Sequence, residues 1–195
     1  DIDVRERAGT GQEVRIDIVS DVVCPWCYIG KRHLEAALAQ RPDIAPTVHW
    51  RPYQLDPTIP PGGLDRQAYM ERKFGDRVPE IHARLVEAGR AAGLDFAFEK
   101  IRRSPNTLDA HRLIRWAWPL GKQDALVESL FRAFFVEGQD IGDRTVLGDR
   151  AEAVGMDREI VMRLLEEDAD ADFVRSDIER ARSLGVAGVP FFILE

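Results

Sequence analysis

The sequence contains very little cysteine: Cys24 and Cys27 are the two cysteines among its 195 residues. Two cysteines cannot form the disulfide framework of a small secreted domain, and a chain of this length does not need one. Long hydrophobic runs are also missing, since none approaches the roughly 20 apolar residues that cross a bilayer. The first residues, DIDVRERAGTGQEV, are polar and charged, which matches neither a signal peptide nor a membrane anchor. We therefore expect a cytoplasmic protein without a membrane partner.

Positive charge is in deficit. The chain carries 27 Lys and Arg against 34 Asp and Glu, which gives a formal net charge of −7. Nucleic acid binding depends on an excess of cations that displace counterions from the phosphates, so nucleic acid is not an expected partner. Hydrophobic residues make up 45% and charged residues 31% of the chain, which is typical of a globular protein with a sizeable core.

The first segment of the chain predicts a βαβ unit. VRIDIV (14–19) alternates apolar and polar residues, as a strand does. Apolar residues then recur at helical spacing over 25–40, and APTVHWRPYQL (45–55) is rich in β-branched and aromatic residues. Pro52 in this second strand indicates a sheet edge or a strand end, because proline cannot donate to the ladder.

The middle of the chain predicts helices. PTIPPGG (57–63) is a break, and apolar residues recur at helical spacing from there to about residue 170. The predicted helices lie near 65–74, 79–92, 107–118, 123–136, 143–154 and 157–167. Asn106 is the predicted N-cap of the third of them, and LDFAFE (94–99) is interpreted as a short extended stretch. A last helix (171–185) and an apolar strand, VAGVPFFIL (186–194), follow.

This order of elements indicates an α/β protein whose sheet is interrupted by a helical insertion. We expect residues 1–12 to be a flexible leader. Residues 13–62 and 171–195 form the discontinuous α/β domain, and residues 63–170 form the inserted helical domain.

The motif Cys24-Pro25-Trp26-Cys27 follows the first strand and opens the first helix. A structural zinc site needs four ligands, and the chain has a single pair of cysteines and scattered histidines, so we expect no metal site. The histidines are His33, His49, His82 and His111. Burial as two small apolar side chains is the alternative to a reactive pair. A CxxC pair beside a βαβ unit favours redox chemistry, because positions i and i+3 share one helix face and the two sulfurs can bond.

The helix N-terminus suggests a role for each residue of the motif. Its unpaired N–H groups and its dipole stabilise a thiolate on Cys24, and Pro25 suits the first turn. We predict an accessible Cys24 of low pKa that attacks disulfides, and a less exposed Cys27 that resolves the mixed disulfide. Pro25 and Trp26 tune the stability of the thiolate. Asp21 is interpreted as a solvated turn residue, with a proton acceptor for Cys27 as the alternative.

Val189-Pro190 is the second element of the predicted site. A proline at the start of an apolar strand cannot donate to the ladder. We predict a cis peptide bond that exposes the backbone of Val189 to an extended substrate peptide. A trans proline at the start of an edge strand is the alternative.

Four blocks of the sequence, taken together, resemble the FrnE-like branch of the DsbA family of thioredoxin-fold oxidoreductases. They are IVSDVVCPWCYIGKRHLEAAL, SPNTLDAHRLIRWA, LFRAFFVEGQDIGDRTVL and GVAGVPFFIL. The resemblance covers residues 14–194 and implies a thioredoxin fold interrupted by an inserted all-helical domain. It also implies thiol–disulfide oxidoreductase or isomerase activity, with Cys24 as nucleophile, Cys27 as resolving thiol and Pro190 as the cis-proline opposite them.

The same branch is similar to 2-hydroxychromene-2-carboxylate isomerases and kappa-class glutathione transferases. Those enzymes present a serine in place of Cys24 and lack the second cysteine. Asn106 lies in the block that faces the active site in these relatives, and a helix cap is the alternative role for it.

The resulting expectation is a cytoplasmic thiol–disulfide oxidoreductase or isomerase whose dithiol is its own redox group, with glutathione as a candidate reductant. Its expected partners are disulfide-containing proteins or small thiols, and it is expected to be a monomer or a homodimer. The alternatives are a glutathione-dependent isomerase or transferase of a biosynthetic pathway, and a thiol-based chaperone or metal-binding protein. A complete thioredoxin sheet continues beyond the proline strand into a further strand and helix, so we expect the chain to be truncated after Glu195.

Overall fold

The structure of the protein is a computed structural model that describes residues 11–195. The leader predicted over 1–12 lies outside the described residues apart from its last two positions, and Gln12 already begins a strand. The strands are β1 Gln12–Ser20, β2 Ile44–Pro52, β3 Leu64–Asp65, β4 Arg103–Ser104 and β5 Phe191–Leu194. The helices are α1 Pro25–Ala39, α2 Arg66–Phe74, α3 Val78–Ala91, α4 Leu108–Ala117, α5 Gln123–Phe135, α6 Arg144–Ala153, α7 Arg158–Glu166 and α8 Ala171–Ser183.

The described residues form one mixed sheet in the order β2-β1-β5. β1 pairs in parallel with β2 and antiparallel with β5, and α1 connects the two parallel strands. β2 lies at the edge of this sheet and ends at Pro52, as its sequence predicts. The helices α2 to α7 lie in the chain between β2 and α8, so the predicted α/β architecture with a helical insertion is confirmed. A short antiparallel pair, β3 with β4, accompanies the inserted helices.

The helix bounds predicted from the helical periodicity of the sequence agree with the observed bounds to within about two residues at each end. Three of the helices begin at an aspartate whose side chain accepts a hydrogen bond from the first turn: Asp65 of α2, Asp143 of α6 and Asp157 of α7. The predicted cap of α4 is displaced by one residue, since Thr107 is the N-cap. Asn106 still accepts the N–H of Leu108 at 2.9 Å. Between residues 11 and 195, no helix is long and apolar enough to span a membrane.

Two extended stretches differ from the sequence-based prediction. The strand predicted over 186–194 begins only at Phe191, because Pro190 has no N–H to donate and Val186 packs on Val19 and Tyr53. The extended stretch predicted over 94–99 is wrong. Its side chains enter the hydrophobic core instead of alternating across a sheet, and a 3-10 helix occupies Phe98–Lys100.

One hydrophobic core spans the sheet and the inserted helices. Tyr28 of α1 stacks on Phe131 of α5 with ring centroids 4.8 Å apart, and Phe135 and Phe96 extend the aromatic cluster. These rings are almost fully buried. The cluster fixes α1, whose first turn carries the cysteines, against the longest helix of the α4–α7 group.

Charged side chains at the edge of this core form a second link between α1 and α5. Glu128 accepts hydrogen bonds from Tyr28 Oη at 2.5 Å, from Arg32 Nη2 at 2.9 Å and from Lys31 Nζ at 3.1 Å. Lys31 is buried and also pairs with Glu35. Burial alone would raise the pKa of Glu128, but the hydrogen bonds from Arg32, Tyr28 and Lys31 outweigh it and lower the pKa to about 2.

Arg112 of α4 is fully buried and holds the end of α7. Its guanidinium donates to the backbone oxygens of Leu164, Glu167 and Ala169 at 2.7, 2.6 and 2.8 Å. It also donates to the carboxylate of Asp109 at 2.9 Å. The last carbonyls of a helix have no partner within the helix, and here one side chain supplies their donors.

Glu128→Gln is expected to lower the free energy of unfolding at about pH 7 by about 2 kcal/mol, because a hydrogen bond to a charged group contributes roughly 1.5–3 kcal/mol. The pKa of Glu128 is lowered in the fold from 4.5 to about 2. Its contribution is therefore complete above about pH 4.5 and is lost as the pH falls toward 2. Urea unfolding between about pH 7 and pH 3 measures the difference between variant and wild type, which should shrink at the acidic end. Glu152→Gln, at an exposed position of α6, is the control. A difference that does not change with pH would contradict the assignment.

Candidate active site

The two cysteines lie at the N-terminus of α1, as predicted. Cys24 is the N-cap residue with an extended backbone, Pro25 is the first helical residue, and Cys27 lies in the first turn. The N–H of Cys24 donates to the carbonyl of Asp21 at 3.0 Å, which closes the turn between β1 and the helix. Proline costs no hydrogen bond at this position, because the first N–H groups of a helix have no partner within it. Both thiols are free.

The two sulfur environments differ in their effect on the thiol pKa. The pKa of Cys24 is lowered, chiefly because the Cys27 side chain hydrogen-bonds to its sulfur, while burial opposes this effect. The backbone N–H groups of Cys27 and Trp26 lower it further. The pKa of Cys27 is raised well above its ordinary value of 9.0 by burial and by the neighbouring Cys24. The pair therefore consists of one thiol that ionises readily and one that keeps its proton.

The predicted accessibility of Cys24 is wrong, because only 4% of the residue is exposed. The residue contacts the Val189 turn and borders a cavity to whose wall the inserted helices contribute. Trp26, by contrast, is 48% exposed. A substrate sulfur has to enter the cavity to reach Cys24.

The Val189-Pro190 turn lies directly against the nucleophile. Its peptide bond is cis in the structure, and the carbonyl oxygen of Val189 is 3.7 Å from Cys24 Sγ. The Pro190 ring packs on Gly30 of α1, where an added Cβ would lie 3.1 Å from the proline Cγ. Glycine at position 30 thus permits the close approach of this turn to the helix.

The cavity beside Cys24 has a volume of about 510 Å³. It lies between the α1 N-terminus, the helices α2 and α3, and the Val189 turn. Most of its wall is apolar and aromatic, and Pro25, Trp26 and Val189 contribute to it. The larger apolar side chains that it exposes are those of Tyr69, Met70, Phe74, Leu85, Phe98 and Phe135.

Asp21 is not the solvated turn residue that the sequence suggested. It is 1% exposed, and its carboxylate lies 3.1 Å from His111 Nε2 and accepts the N–H of Leu55 at 2.9 Å. Its negative charge raises the pKa of both Cys24 and Cys27. The partners lie 90 positions apart in the chain, so no local pattern reveals this buried pair.

Asn106 has a supporting position behind the cavity. Its side chain donates to the carbonyl of Ile59 at 2.7 Å and accepts the N–H of Leu108, while the adjacent Pro105 and Thr107 line the cavity. These bonds fix the backbone on which the two lining residues lie. Within residues 11–195, no cluster of three or more His, Cys, Asp or Glu side chains could hold a metal ion.

A βαβ unit with an added antiparallel strand, a CxxC pair at a helix N-terminus and a proline turn facing it are the fold and the motif of thioredoxin-fold thiol oxidoreductases. The sequence pattern of the DSBA-like thioredoxin domain matches residues 15–195. The chain therefore belongs to the family of DSBA-like thioredoxin domain proteins, and the predicted resemblance to the DsbA family is confirmed.

Individual relatives agree with this membership. The probable DsbA oxidoreductase SCO1869 of Streptomyces coelicolor superimposes with a TM-score of 0.82 at 32% identity, covering 93% of this chain and 80% of that one. The YwbO protein of Bacillus subtilis strain 168 is 29% identical over 182 residues, 93% of this chain and 86% of YwbO. The cytosolic disulfide reductase DsbM of Pseudomonas aeruginosa shares the fold, with a TM-score of 0.68 at 22% identity over 93% of this chain and 84% of that one.

Cys27→Ala is expected to raise the pKa of Cys24, because it removes the hydrogen bond that lowers this pKa most. Asp21→Asn is expected to lower it, because the neighbouring negative charge disappears. Ultraviolet absorbance of the thiolate, followed against pH, measures both changes. Cys27→Ser keeps a hydrogen-bond donor and should lie between Cys27→Ala and wild type. An unchanged Cys24 pKa in Cys27→Ala would show that the helix N-terminus, rather than the second thiol, stabilises the anion.

Proposed function

We propose that the protein catalyses thiol–disulfide exchange as a reductase or isomerase, with Cys24 as nucleophile and Cys27 as resolving thiol. The observation that carries the proposal is the pair itself: an N-cap thiol of lowered pKa and, in the first turn of the same helix, a second thiol of raised pKa, beside a cavity. Thiolate is the attacking species in disulfide exchange, and a thiol whose pKa lies near the ambient pH is the most effective one.

The reaction proceeds in two exchanges. The Cys24 thiolate attacks one sulfur of the substrate disulfide, that S–S bond breaks, and the other half leaves as a thiolate. Cys27 then loses its proton and attacks Cys24 Sγ, so the remaining half leaves as a second thiolate and the Cys24–Cys27 disulfide forms. The substrate gains two electrons and the enzyme dithiol loses two. A small thiol, for which glutathione is a candidate, returns the enzyme to its reduced form.

The raised pKa of Cys27 determines the order of the two exchange steps. Burial and the charge of Cys24 both keep Cys27 protonated in the resting enzyme. When Cys24 has formed the mixed disulfide it carries no charge, and its contribution to the raised pKa of Cys27 disappears. Cys27 therefore ionises more readily after the substrate has bonded than before. In an isomerisation the substrate's own thiol attacks first, and Cys27 releases the enzyme only when that rearrangement fails.

The reducing direction follows from the proposed compartment. We propose a cytoplasmic location, where glutathione and thioredoxin systems keep dithiols reduced and a dithiol enzyme works as a reductase or isomerase. The shared fold of the cytosolic disulfide reductase DsbM supports this proposal. Proteins with wrong disulfides and small disulfides are the proposed substrates.

Acceleration of insulin reduction by dithiothreitol tests the function. Wild type should accelerate precipitation of the insulin B chain. Cys24→Ser should abolish the effect, because the attacking thiolate is lost and the remaining thiol, Cys27, has a raised pKa and keeps its proton. Cys27→Ser should lower the rate about tenfold or more and accumulate a mixed disulfide, because the second exchange is lost. The mixed disulfide is detected by mass spectrometry.

Two outcomes would overturn the proposal. Full activity of Cys27→Ser that depends on added glutathione would favour a glutathione-dependent isomerase or transferase. No acceleration by wild type, together with stoichiometric metal uptake, would favour a thiol-based binding protein.

A further inference from the structure

The position of Cys24 restricts what can react with it. Only 4% of the residue is exposed, and it borders the cavity of about 510 Å³. Cavities of about 300–1,000 Å³ with apolar walls and a few polar groups are typical of sites for small organic ligands. Residues of helices α2 and α3 form part of the wall beside the nucleophile, so the site is a pocket large enough for a small disulfide. The geometry favours a small disulfide that enters the cavity whole.

Arg66 lies in the wall of this cavity, and its guanidinium is over the ring of Phe134, with Cζ 5.9 Å from the ring centroid. Among residues 11–195, no carboxylate lies within salt-bridge distance of its guanidinium, and its buried Nε has no hydrogen-bond partner. Its closest polar contact is a long one, 3.5 Å from Nη1 to Ser104 Oγ. Burial lowers the pKa of Arg66 to about 10, so the side chain is still charged at neutral pH. A cation withdrawn from water is stabilised by an anion that pairs with it.

The acidic residues of the same wall already have partners. Asp21 is held by His111 and by the N–H of Leu55. Asp56 accepts hydrogen bonds from Thr58 and from Tyr69 Oη at 2.8 Å. Neither carboxylate neutralises Arg66, so the anion has to come from the ligand.

A second nitrogen near Arg66 also lacks a partner. His82 stacks on Phe98 with ring centroids 4.6 Å apart, and its Nε2 is buried without a hydrogen bond in the described part of the chain. Burial, and then the charge of Arg66, lower the pKa of His82, so the ring is neutral and can donate one hydrogen bond. Both side chains line the cavity into which Cys24 faces. Arg66 supplies the positive charge, whereas His82, whose Nε2 is buried, contributes a neutral ring to the wall.

We propose that this cavity binds a low-molecular-weight disulfide with an aromatic or aliphatic body and one carboxylate, which pairs with the guanidinium of Arg66. This inference rests on the proposed function. The apolar walls hold the body of the ligand, and the carboxylate orients it so that its sulfur faces Cys24. Cys24 attacks that sulfur and the other half leaves as a thiolate. Attack by Cys27 on Cys24 then releases the carboxylate-bearing half as the second thiolate, with reduction of the ligand by two electrons.

Two aromatic disulfides of similar size separate the charge effect from the chemistry. Dithiobis-nitrobenzoate carries a carboxylate on each half, whereas dithiodipyridine is neutral at neutral pH. The reduced protein is mixed with each probe, and release of the coloured thiol gives a single-turnover rate. Because both probes react with the same Cys24 thiolate, the ratio of the two rates cancels any change in its reactivity.

Arg66→Gln is expected to lower the ratio of the nitrobenzoate rate to the dithiodipyridine rate about tenfold, which corresponds to about 1.4 kcal/mol. Arg66→Lys, which keeps the charge, should retain most of the ratio. Arg72→Gln removes the same charge from an exposed position of the same helix and should leave the ratio unchanged. A ratio that Arg66→Gln does not alter, or that Arg72→Gln lowers equally, would overturn the proposal.

Wild type provides a test that does not depend on the folding of a variant. Nitrobenzoate, which has the charge but no sulfur, should slow the reaction of dithiodipyridine with Cys24, and nitrobenzamide of the same shape should not. Equal inhibition by both, or inhibition by neither, contradicts carboxylate recognition. Failure of the redox function itself is distinguished by dithiodipyridine alone: it would then react with the protein no faster than with free cysteine at the same pH.

Discussion

The placement of Cys24 and Cys27 at the start of α1 is the constraint on which the chemistry of this protein depends. The two residues share one face of the first turn, with Pro25 and Trp26 between them, and the Cys27 side chain there lowers the pKa of the Cys24 thiol. The first turn of α1 is held in place by contacts that residues further along the helix make. Tyr28 and Lys31, one turn further along the helix, anchor α1 to α5 through the aromatic cluster and through Glu128. The reactivity of the site and the packing of the inserted helices are therefore parts of one arrangement.

The inserted helices give the redox motif a cavity. Residues of α2 and α3 form part of its wall, together with the N-terminus of α1 and the Val189 turn. The wall is mostly apolar, and Arg66 lies in it without a carboxylate partner among the described residues. The cavity beside Cys24 is therefore built jointly by the α/β unit and the insertion.

Local patterns in the sequence predict the elements and the motif, because each depends on neighbours a few residues apart. The helix ends follow from periodicity and from capping residues such as Asp143 and Asp157. The prediction over 94–99 fails because apolar side chains that suit a strand are used here to fill the core around Phe135. The burial of Cys24 and the Asp21–His111 pair were also missed. Both depend on contacts between distant parts of the chain, 165 positions apart for Cys24 and Val189.

Arg112 supports the position of the Val189 turn beside Cys24 without contacting either residue. The chain returns from the inserted helices to the sheet through the segment just after α7, and the guanidinium fixes that segment by its carbonyls at Glu167 and Ala169. From there α8 leads directly into the Val189 turn. The segment between α7 and α8 is thus fixed by the planar guanidinium of Arg112, which has five N–H donors. The single ammonium of a lysine could not bind several carbonyls in this geometry. The alignment of the turn with its nucleophile is set partly by a side chain that touches neither.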